Sequence, residues 1–180
     1  GQMVDAERMR FDFSHNAPMT DEEIARVEDE VNAVIRQNVP VTTELMTPDA
    51  AIAAGAVALF GEKYGDEVRV LTIGHALSGP GAYSVELCGG THVFRTGDIA
   101  LFKIVSEGGV AAGVRRVEAL TGEAARRFLL DQASVARSLA QGFKIQTAEV
   151  PARVEGLQAS VKTLEKQVAD LKKQLALGGG

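Results

Sequence analysis

The sequence is short of the residues that mark several common classes of protein. It has one cysteine, no tryptophan and only 5% aromatic residues among its 180 residues. The single cysteine, Cys88, excludes an internal disulfide framework and is typical of a reducing cytoplasm. The few aromatic residues argue against a broad platform for stacking single-stranded bases. No apolar run approaches the roughly 18 residues that a membrane-spanning helix needs, so the sequence predicts no membrane partner.

Charge is distributed unevenly along the chain. Residues 1–90 contain 6 Lys and Arg against 15 Asp and Glu, whereas residues 91–180 contain 13 against 9. The content of 46% hydrophobic and 24% charged residues is ordinary for a globular protein. We therefore expect the second half, rather than the acidic first half, to face phosphate groups.

Hydrophobic patterning predicts an α+β fold with a mainly antiparallel sheet over about the first 120 residues. Met9–Ser14 alternates apolar and polar residues, as a strand with one buried face does. Thr20 and Glu23 form a capping box for a helix that Asn38 and Pro40 end. Ser106–Gly109 has the composition of a turn. The sequence predicts further strands at residues 41–45, 68–73, 83–87, 99–106 and 113–120.

The last third of the chain has a helical pattern. Residues 123–141 contain neither proline nor glycine, and a break near Pro151 precedes a heptad repeat with Val mostly at position a and Leu at d. The repeat consists of Val154, Leu157, Val161, Leu164, Val168, Leu171 and Leu175. This seam predicts either a helical hairpin with residues 123–141 or a coiled-coil stem formed with a second copy. The glycines at 178–180 are expected to be a flexible linker.

One short motif could carry chemistry. Cys88 and His92 are separated by two glycines and a threonine, and thiolate and imidazole are preferred ligands of zinc. Two ligands do not make a site, because zinc needs three or four from the protein. His15 and His75 stand in no paired spacing with the motif. From the residues alone, a buried thiol beside an unrelated histidine explains the motif as well.

Several segments resemble the editing region of alanyl-tRNA synthetases, which is the second additional domain of threonyl- and alanyl-tRNA synthetases. They occur in the family's order and with near-family spacing. The similar segments are residues 10–15, 58–65, 86–92, 95–99 and 113–119. The resemblance implies an editing domain over residues 1–122, a helical stem over 123–177 and a linker at 178–180.

The resemblance implies a cytoplasmic ligase whose editing domain hydrolyses tRNA for alanine that carries serine or glycine. It implies a zinc ion with four ligands, two of which correspond to Cys88 and His92. The other two belong to an H-x-x-x-H motif upstream of the strand at Met9–Ser14, so this sequence is expected to lack them and to be inactive alone. ATP and magnesium would act only in the ligase domain, and the catalytic group is unknown.

The implied partners are tRNA for alanine, an upstream ligase domain and a downstream C-terminal domain, and the heptad pattern allows a homodimer through the stem. The candidate RNA-binding residues are Arg95, Lys103, Arg115 and Arg116, because guanidinium groups suit phosphate, although solvated surfaces and ion pairs explain them equally. Adjacent strand residues point to opposite faces, so at most one of Arg115 and Arg116 would face RNA.

Two other functions fit parts of the sequence. A free-standing editing protein would act on the same mischarged tRNA without a ligase domain, but the long heptad stem counts against it. A coiled-coil interaction module without enzymatic activity would explain residues 154–175 only.

Overall fold

The computed structural model describes residues 1–57 and 65–178 of the chain. It contains two compact units, Gly1–Arg127 and Phe128–Gly180. Residues 58–64, which carry most of one similar segment, and the last two residues of the expected linker lie outside the described residues. The functional boundaries at residues 122 and 177 stay predictions.

The strands of the first unit form two antiparallel sheets. One sheet contains, in spatial order, β1 (Gln2–Val4), β2 (Met9–Ser14), β7 (Val114–Thr121) and β6 (Phe102–Ala111). The other contains β3 (Thr42–Met46), β4 (Val68–His75) and β5 (Ala82–Leu87). Every pairing between these strands is antiparallel. The predicted α+β class is confirmed.

The first helix, α1, spans Asp21–Gln37 and has the predicted ends. The Thr20 hydroxyl accepts a hydrogen bond from the Glu23 N–H, and the Glu23 carboxylate accepts one from the Thr20 N–H. Asn38 ends the helix with φ at 49°, in the left-handed region that asparagine tolerates. Between these caps, Val34 and Ile35 are buried. The amphipathic pattern and the caps therefore act together to define α1.

Side chains of α1 also cover the free edge of the first sheet, at β6. The Asn32 side chain accepts a hydrogen bond from the Phe102 N–H and donates one to the Phe102 carbonyl, both at 2.9 Å. The Glu28 carboxylate accepts a hydrogen bond from the Ile104 N–H at 2.7 Å. These contacts occupy main-chain groups that an edge strand otherwise presents to solvent or to another strand.

The second sheet carries the main apolar cluster of the first unit. A short helix, α2 (Pro48–Ala53), follows Thr47, whose side chain caps it by accepting a hydrogen bond from the Ala50 N–H. Ala51 of this helix packs with Val68 and Val70 of β4. Val34 of α1 approaches Gly74, where an added Cβ would lie 2.5 Å from the valine Cγ1 and where φ is +65°. Only glycine meets both conditions without strain.

Two local predictions are wrong. The strand expected at residues 99–106 begins at Phe102, because Thr96–Ile99 forms a 3-10 helix. The turn expected at Ser106–Gly109 is part of β6, whose pairing with β7 contains irregularities next to Ser106 and Gly109. Bulges admit glycine and extra residues while the strand continues, so the glycines did not mark its end.

The long helices are α3 (Gly122–Phe143) and α4 (Val150–Gly178). Lys144, with φ at 56°, and a 3-10 helix at Thr147–Glu149 separate them, close to the predicted break. The heptad side chains of α4 are 37% to 76% exposed, and Val135 and Leu139 of α3 are 59% and 45% exposed. The described single chain therefore leaves the seam exposed, including Leu157, Leu164 and Leu171, and its packing against another helix stays a prediction. None of the described helices combines the length and the apolar character needed to cross a membrane.

Candidate functional site

Cys88 and His92 lie together on the turn that follows β5. The Cys88 Sγ and His92 Nε2 atoms are 3.1 Å apart, and Cys88 is half-buried. Gly90 lies beside both atoms, because a Cβ added to it would lie 3.5 Å from Sγ and 3.6 Å from Nε2. The glycines let the backbone fold closely around the pair. Both side chains are thus within reach of one ion, and their role as ligands stays a prediction.

The pair fits half of a tetrahedral zinc site. Usual Zn–S and Zn–N bond lengths place the two ligand atoms about 3.6 Å apart, so a small movement of either side chain would admit the ion. Among residues 1–57 and 65–178, no three His, Cys, Asp or Glu side chains form a group that could hold a metal. The His15 ring lies near that of Phe13, with ring centroids 6.2 Å apart and the planes tilted by 32°. His75 is the last residue of β4.

Arg69 of β4 contacts the turn with both its main chain and its side chain. Its carbonyl accepts a hydrogen bond from the Cys88 N–H at 3.1 Å. Its Nη1 donates to the carbonyl of Gly90 at 2.8 Å and, over a longer distance of 3.4 Å, to that of Gly89. The sequence pattern of β4 gave no sign of these contacts, because a charged residue at a strand position usually indicates only an exposed face.

Downstream of the turn, Thr96 fixes the chain against the end of α1. Thr96 is 1% exposed, and its hydroxyl accepts a hydrogen bond from the Val39 N–H at 3.2 Å and donates to the Ile35 carbonyl at 3.4 Å. Nearby, Arg95 Nε donates to the Asn38 side chain at 3.0 Å, and Arg95 Nη2 donates to the Asn38 carbonyl. Sequence reasoning missed Thr96, since no spacing rule distinguishes a buried threonine from an exposed one.

The four candidate RNA-binding residues all have partners within the first unit. Arg95 binds Asn38, as described, and Lys103 Nζ lies 2.8 Å from the Glu28 carboxylate. Arg116 Nε and Nη2 bind the two oxygens of Asp12 at 2.7 and 3.1 Å. Arg115 binds Glu107 through its guanidinium. Their RNA-binding role stays a prediction, and phosphate would have to compete with these partners.

Arg115 and Arg116 pair with different strands. Arg115 is opposite Phe13 of β2 and binds Glu107 of β6, whereas Arg116 is opposite Asp12 and binds it. Adjacent strand residues point to opposite faces, as the alternation predicts. A hydrogen bond from Arg115 lowers the pKa of Glu107, and one from Arg116 lowers the pKa of Asp12, so both carboxylates favour their ionised form.

Comparison with known proteins defines what this arrangement resembles. Residues 68–118, which include the Cys88–His92 turn, match the family described as the threonyl and alanyl tRNA synthetase second additional domain. The chain is 73% identical over 181 aligned positions to the alanine–tRNA ligase of Caulobacter sp. strain K31. The alignment includes the whole chain, which spans 20% of the length of that ligase. The resemblance predicted from the sequence is confirmed.

Other alanine–tRNA ligases show the same coverage. The chain is 72% identical to the enzyme of Caulobacter vibrioides and 62% identical to that of Parvibaculum lavamentivorans, with all of the chain aligned in both. It spans 21% and 20% of these two proteins, respectively. The similarity to these aminoacyl-tRNA synthetases therefore includes the helices α3 and α4 as well as the two sheets.

Proposed function

We propose that this chain is part of an alanine–tRNA ligase and forms most of the domain that hydrolyses seryl- or glycyl-tRNA for alanine. The observation that carries the proposal is the position of the Cys88–His92 pair, 3.1 Å apart, within the matched residues 68–118. The alignment over the full chain supports the same conclusion, because it includes the stem that a free-standing editing protein does not require.

A second site is needed for a physical reason. A pocket shaped for alanine excludes glycine poorly, because one missing methyl group changes the binding free energy by only about 1–3 kcal/mol. A pocket of this kind also rejects a side chain with an added hydroxyl poorly. Hydrolysis at a separate site removes the wrong product after it has formed. Ester hydrolysis requires a positioned water and a group that stabilises the developing oxyanion.

Cys88 and His92 would hold a zinc ion together with two ligands from another part of the ligase. A bound zinc ion would supply a Lewis acid that polarises or positions the reacting groups. The chain's own contribution is to keep thiolate and imidazole at a fixed separation on one turn. In this proposal, ATP and magnesium serve the ligase domain, and tRNA for alanine is the partner in the cytoplasm.

For a basic residue of this set to bind tRNA, a phosphate group of the tRNA would replace its present partner within the chain. Lys103 and Arg116 are the more accessible of the three ion-paired candidates, with side chains 30% and 33% exposed, whereas the Arg115 side chain is 15% exposed. Replacement of the carboxylate partner of Lys103 by phosphate keeps the charge balanced and leaves Glu28 bound to the Ile104 N–H. We therefore place Lys103 before Arg115 as an RNA contact.

We further propose that α4 pairs with the α4 of a second copy. Its heptad side chains are exposed, as given above, and Val at a with Leu at d favours a parallel two-stranded coiled coil. Burial of this seam by an identical helix would remove a continuous apolar stripe from water. This homodimer is an arrangement that the pattern favours over the hairpin.

The editing proposal is tested in the full ligase by Cys88→Ala and His92→Ala. We expect hydrolysis of seryl-tRNA for alanine to fall at least about 100-fold, since even residues that support a metal ligand change activity by about 10–100-fold. Charging with alanine should stay unchanged. His75→Ala is the matched control, because this histidine lies at the end of β4 and outside the turn. Unchanged hydrolysis in both variants would contradict the proposal.

The isolated chain gives a complementary measurement. A complete structural zinc site binds with about 10–16 kcal/mol, and half of the ligands should not retain the ion through dialysis. We expect metal analysis of the dialysed chain to find no tightly held zinc. We expect a hydrolysis assay to find no deacylation of seryl-tRNA. One retained zinc per chain would show that the two described ligands are joined by others.

A further inference from the structure

We infer that Arg69 is a positioning residue that holds the Cys88–His92 turn in the conformation suited to a shared ligand. The inference rests on the proposed function only where it concerns metal binding. Its structural part concerns the shape of the turn and can be tested separately.

The turn has few bonds of its own. In the described part of the chain, residues 89–93 make no hydrogen bond between main-chain groups. Glycine at two successive positions gives the unfolded turn unusual conformational freedom, which folding must restrict. A contact from outside the turn is therefore needed to keep Sγ and Nε2 at 3.1 Å.

Arg69 supplies that contact at two points. The hydrogen bond from the Cys88 N–H to the Arg69 carbonyl extends the pairing of β4 and β5 by one residue. The guanidinium then donates to the carbonyls of Gly89 and Gly90, which are the residues with most freedom. Bonds from a charged donor are roughly twice as strong as neutral ones, so one side chain can order a short loop.

The position of Arg69 makes it an effective anchor. It is half-buried between Val68 and Val70, which are 7% and 3% exposed, on the central strand of its sheet. A buried strand moves little, so the Cα and Cβ atoms of Arg69 are held in place. Among the described residues, the Arg69 side chain donates to the Gly89 and Gly90 carbonyls and not to Sγ or Nε2, so it is a positioning residue rather than a ligand.

The test compares Arg69→Met, which keeps an unbranched apolar side chain without the guanidinium donors, with Arg69→Lys, which keeps one charged donor. Arg26→Met is the matched control, because Arg26 is an exposed arginine of α1 that pairs with Glu30. Backbone ¹⁵N order parameters of Gly89 and Gly90 are measured in the 180-residue chain. We expect values of about 0.85 in the unsubstituted chain and in Arg26→Met, and values below about 0.6 in Arg69→Met. Arg69→Lys should restore part of the order.

A second measurement needs no substitution. In the unsubstituted chain, a guanidinium held by two carbonyls should rotate slowly and give separate Nη resonances for Arg69. If Arg69→Met fails to fold, these resonances decide the inference. Averaged Nη resonances, or unchanged order parameters in a folded Arg69→Met chain, would overturn it.

Titration with cobalt(II) separates this inference from the proposed function. The titration follows the thiolate-to-cobalt absorption and gives the apparent affinity for cobalt. We expect this affinity to fall about 10-fold in Arg69→Met, which is the usual effect of losing a residue that supports a ligand. Cys88→Ser and His92→Ala should abolish it. If these two variants bind cobalt like the unsubstituted chain, the metal role fails while the order parameters still decide the role of Arg69. If they lose cobalt and Arg69→Met does not, Arg69 has no positioning role toward the metal.

Discussion

The Cys88–His92 turn and the seam of α4 differ in whether the described chain itself supplies their contacts. The turn is fixed by neighbours in its own unit, with Arg69 on one side and Thr96 downstream. The seam is exposed along its length within the described chain. The comparison shows that the first unit completes its contacts internally, whereas the second carries a pattern that needs another surface.

The basic residues extend the comparison. Lys103, Arg115 and Arg116 look available for RNA in the sequence, yet each has a carboxylate partner in the first unit. In α4, the polar residues beside the seam are exposed as the heptad predicts. In the first sheet, Lys103 and Arg116 therefore pair with residues distant in sequence.

The largest expected effect concerns the seam and uses Leu164→Asp. Leu164 is at a d position, and burial of an unpaired carboxylate in a coiled coil costs several kcal/mol for each copy. We expect the dissociation constant of the dimer to rise at least about 100-fold, because each 1.4 kcal/mol corresponds to a factor of ten. Sedimentation equilibrium measures the change directly.

Lys166→Asp is the matched control for this substitution. Lys166 lies two residues further along α4, at an f position on the side opposite the seam. It should leave the dissociation constant close to that of the unsubstituted chain. If the unsubstituted chain sediments as a monomer at all concentrations, α4 does not pair with a second copy, and the proposal that the exposed seam binds one is wrong.

An intermediate effect is expected at Thr96. Thr96→Val keeps the shape of the side chain but leaves the Val39 N–H and the Ile35 carbonyl without the hydroxyl. A buried polar group that loses its partner costs about 1–3 kcal/mol, so the free energy of unfolding should fall by that amount. Urea denaturation measures it. Thr43→Val, at an exposed position of β3, should cause a smaller change, and equal effects would show that burial of Thr96 is unimportant.

The smallest effect is expected at Glu123. Hydrogen bonds from Arg126 and then Arg127 lower the pKa of Glu123 to about 2, from its ordinary value of 4.5. A lowered folded-state pKa stabilises the protein above pH 4.5, and this contribution is lost as the pH falls toward 2. Because the three side chains are more than half exposed, solvent screens the pairs and the contribution is small.

Glu123→Gln tests this pH dependence. The difference in unfolding free energy between Glu123→Gln and the unsubstituted chain should be present at pH 7 and should shrink between pH 4.5 and about 2. Urea denaturation across this range provides the values. Glu67→Gln serves as the control at another exposed carboxylate. A difference that is constant with pH would show that charge at Glu123 contributes nothing.

The parts of the fold that follow local rules were predictable. The capping box at Thr20, the strand at Met9–Ser14 and the break before α4 are set by residues close together in sequence. The end of β6 was not predictable, because its bulges depend on pairing with β7. A glycine pair indicates a turn only when no neighbouring strand accommodates it.

The sequence by itself determined the resemblance to alanyl-tRNA synthetases, the heptad of α4 and the Cys88–His92 motif, since each depends on the order of residues. Only the tertiary structure decided that Arg69 reaches the turn and that Thr96 is buried against α1. It also decided that the candidate RNA-binding residues have partners, as in the pairing of Arg116 with Asp12. These contacts join positions distant in sequence. Folding brings them within hydrogen-bond range by burying apolar faces, and no local pattern records which distant residue will be the partner.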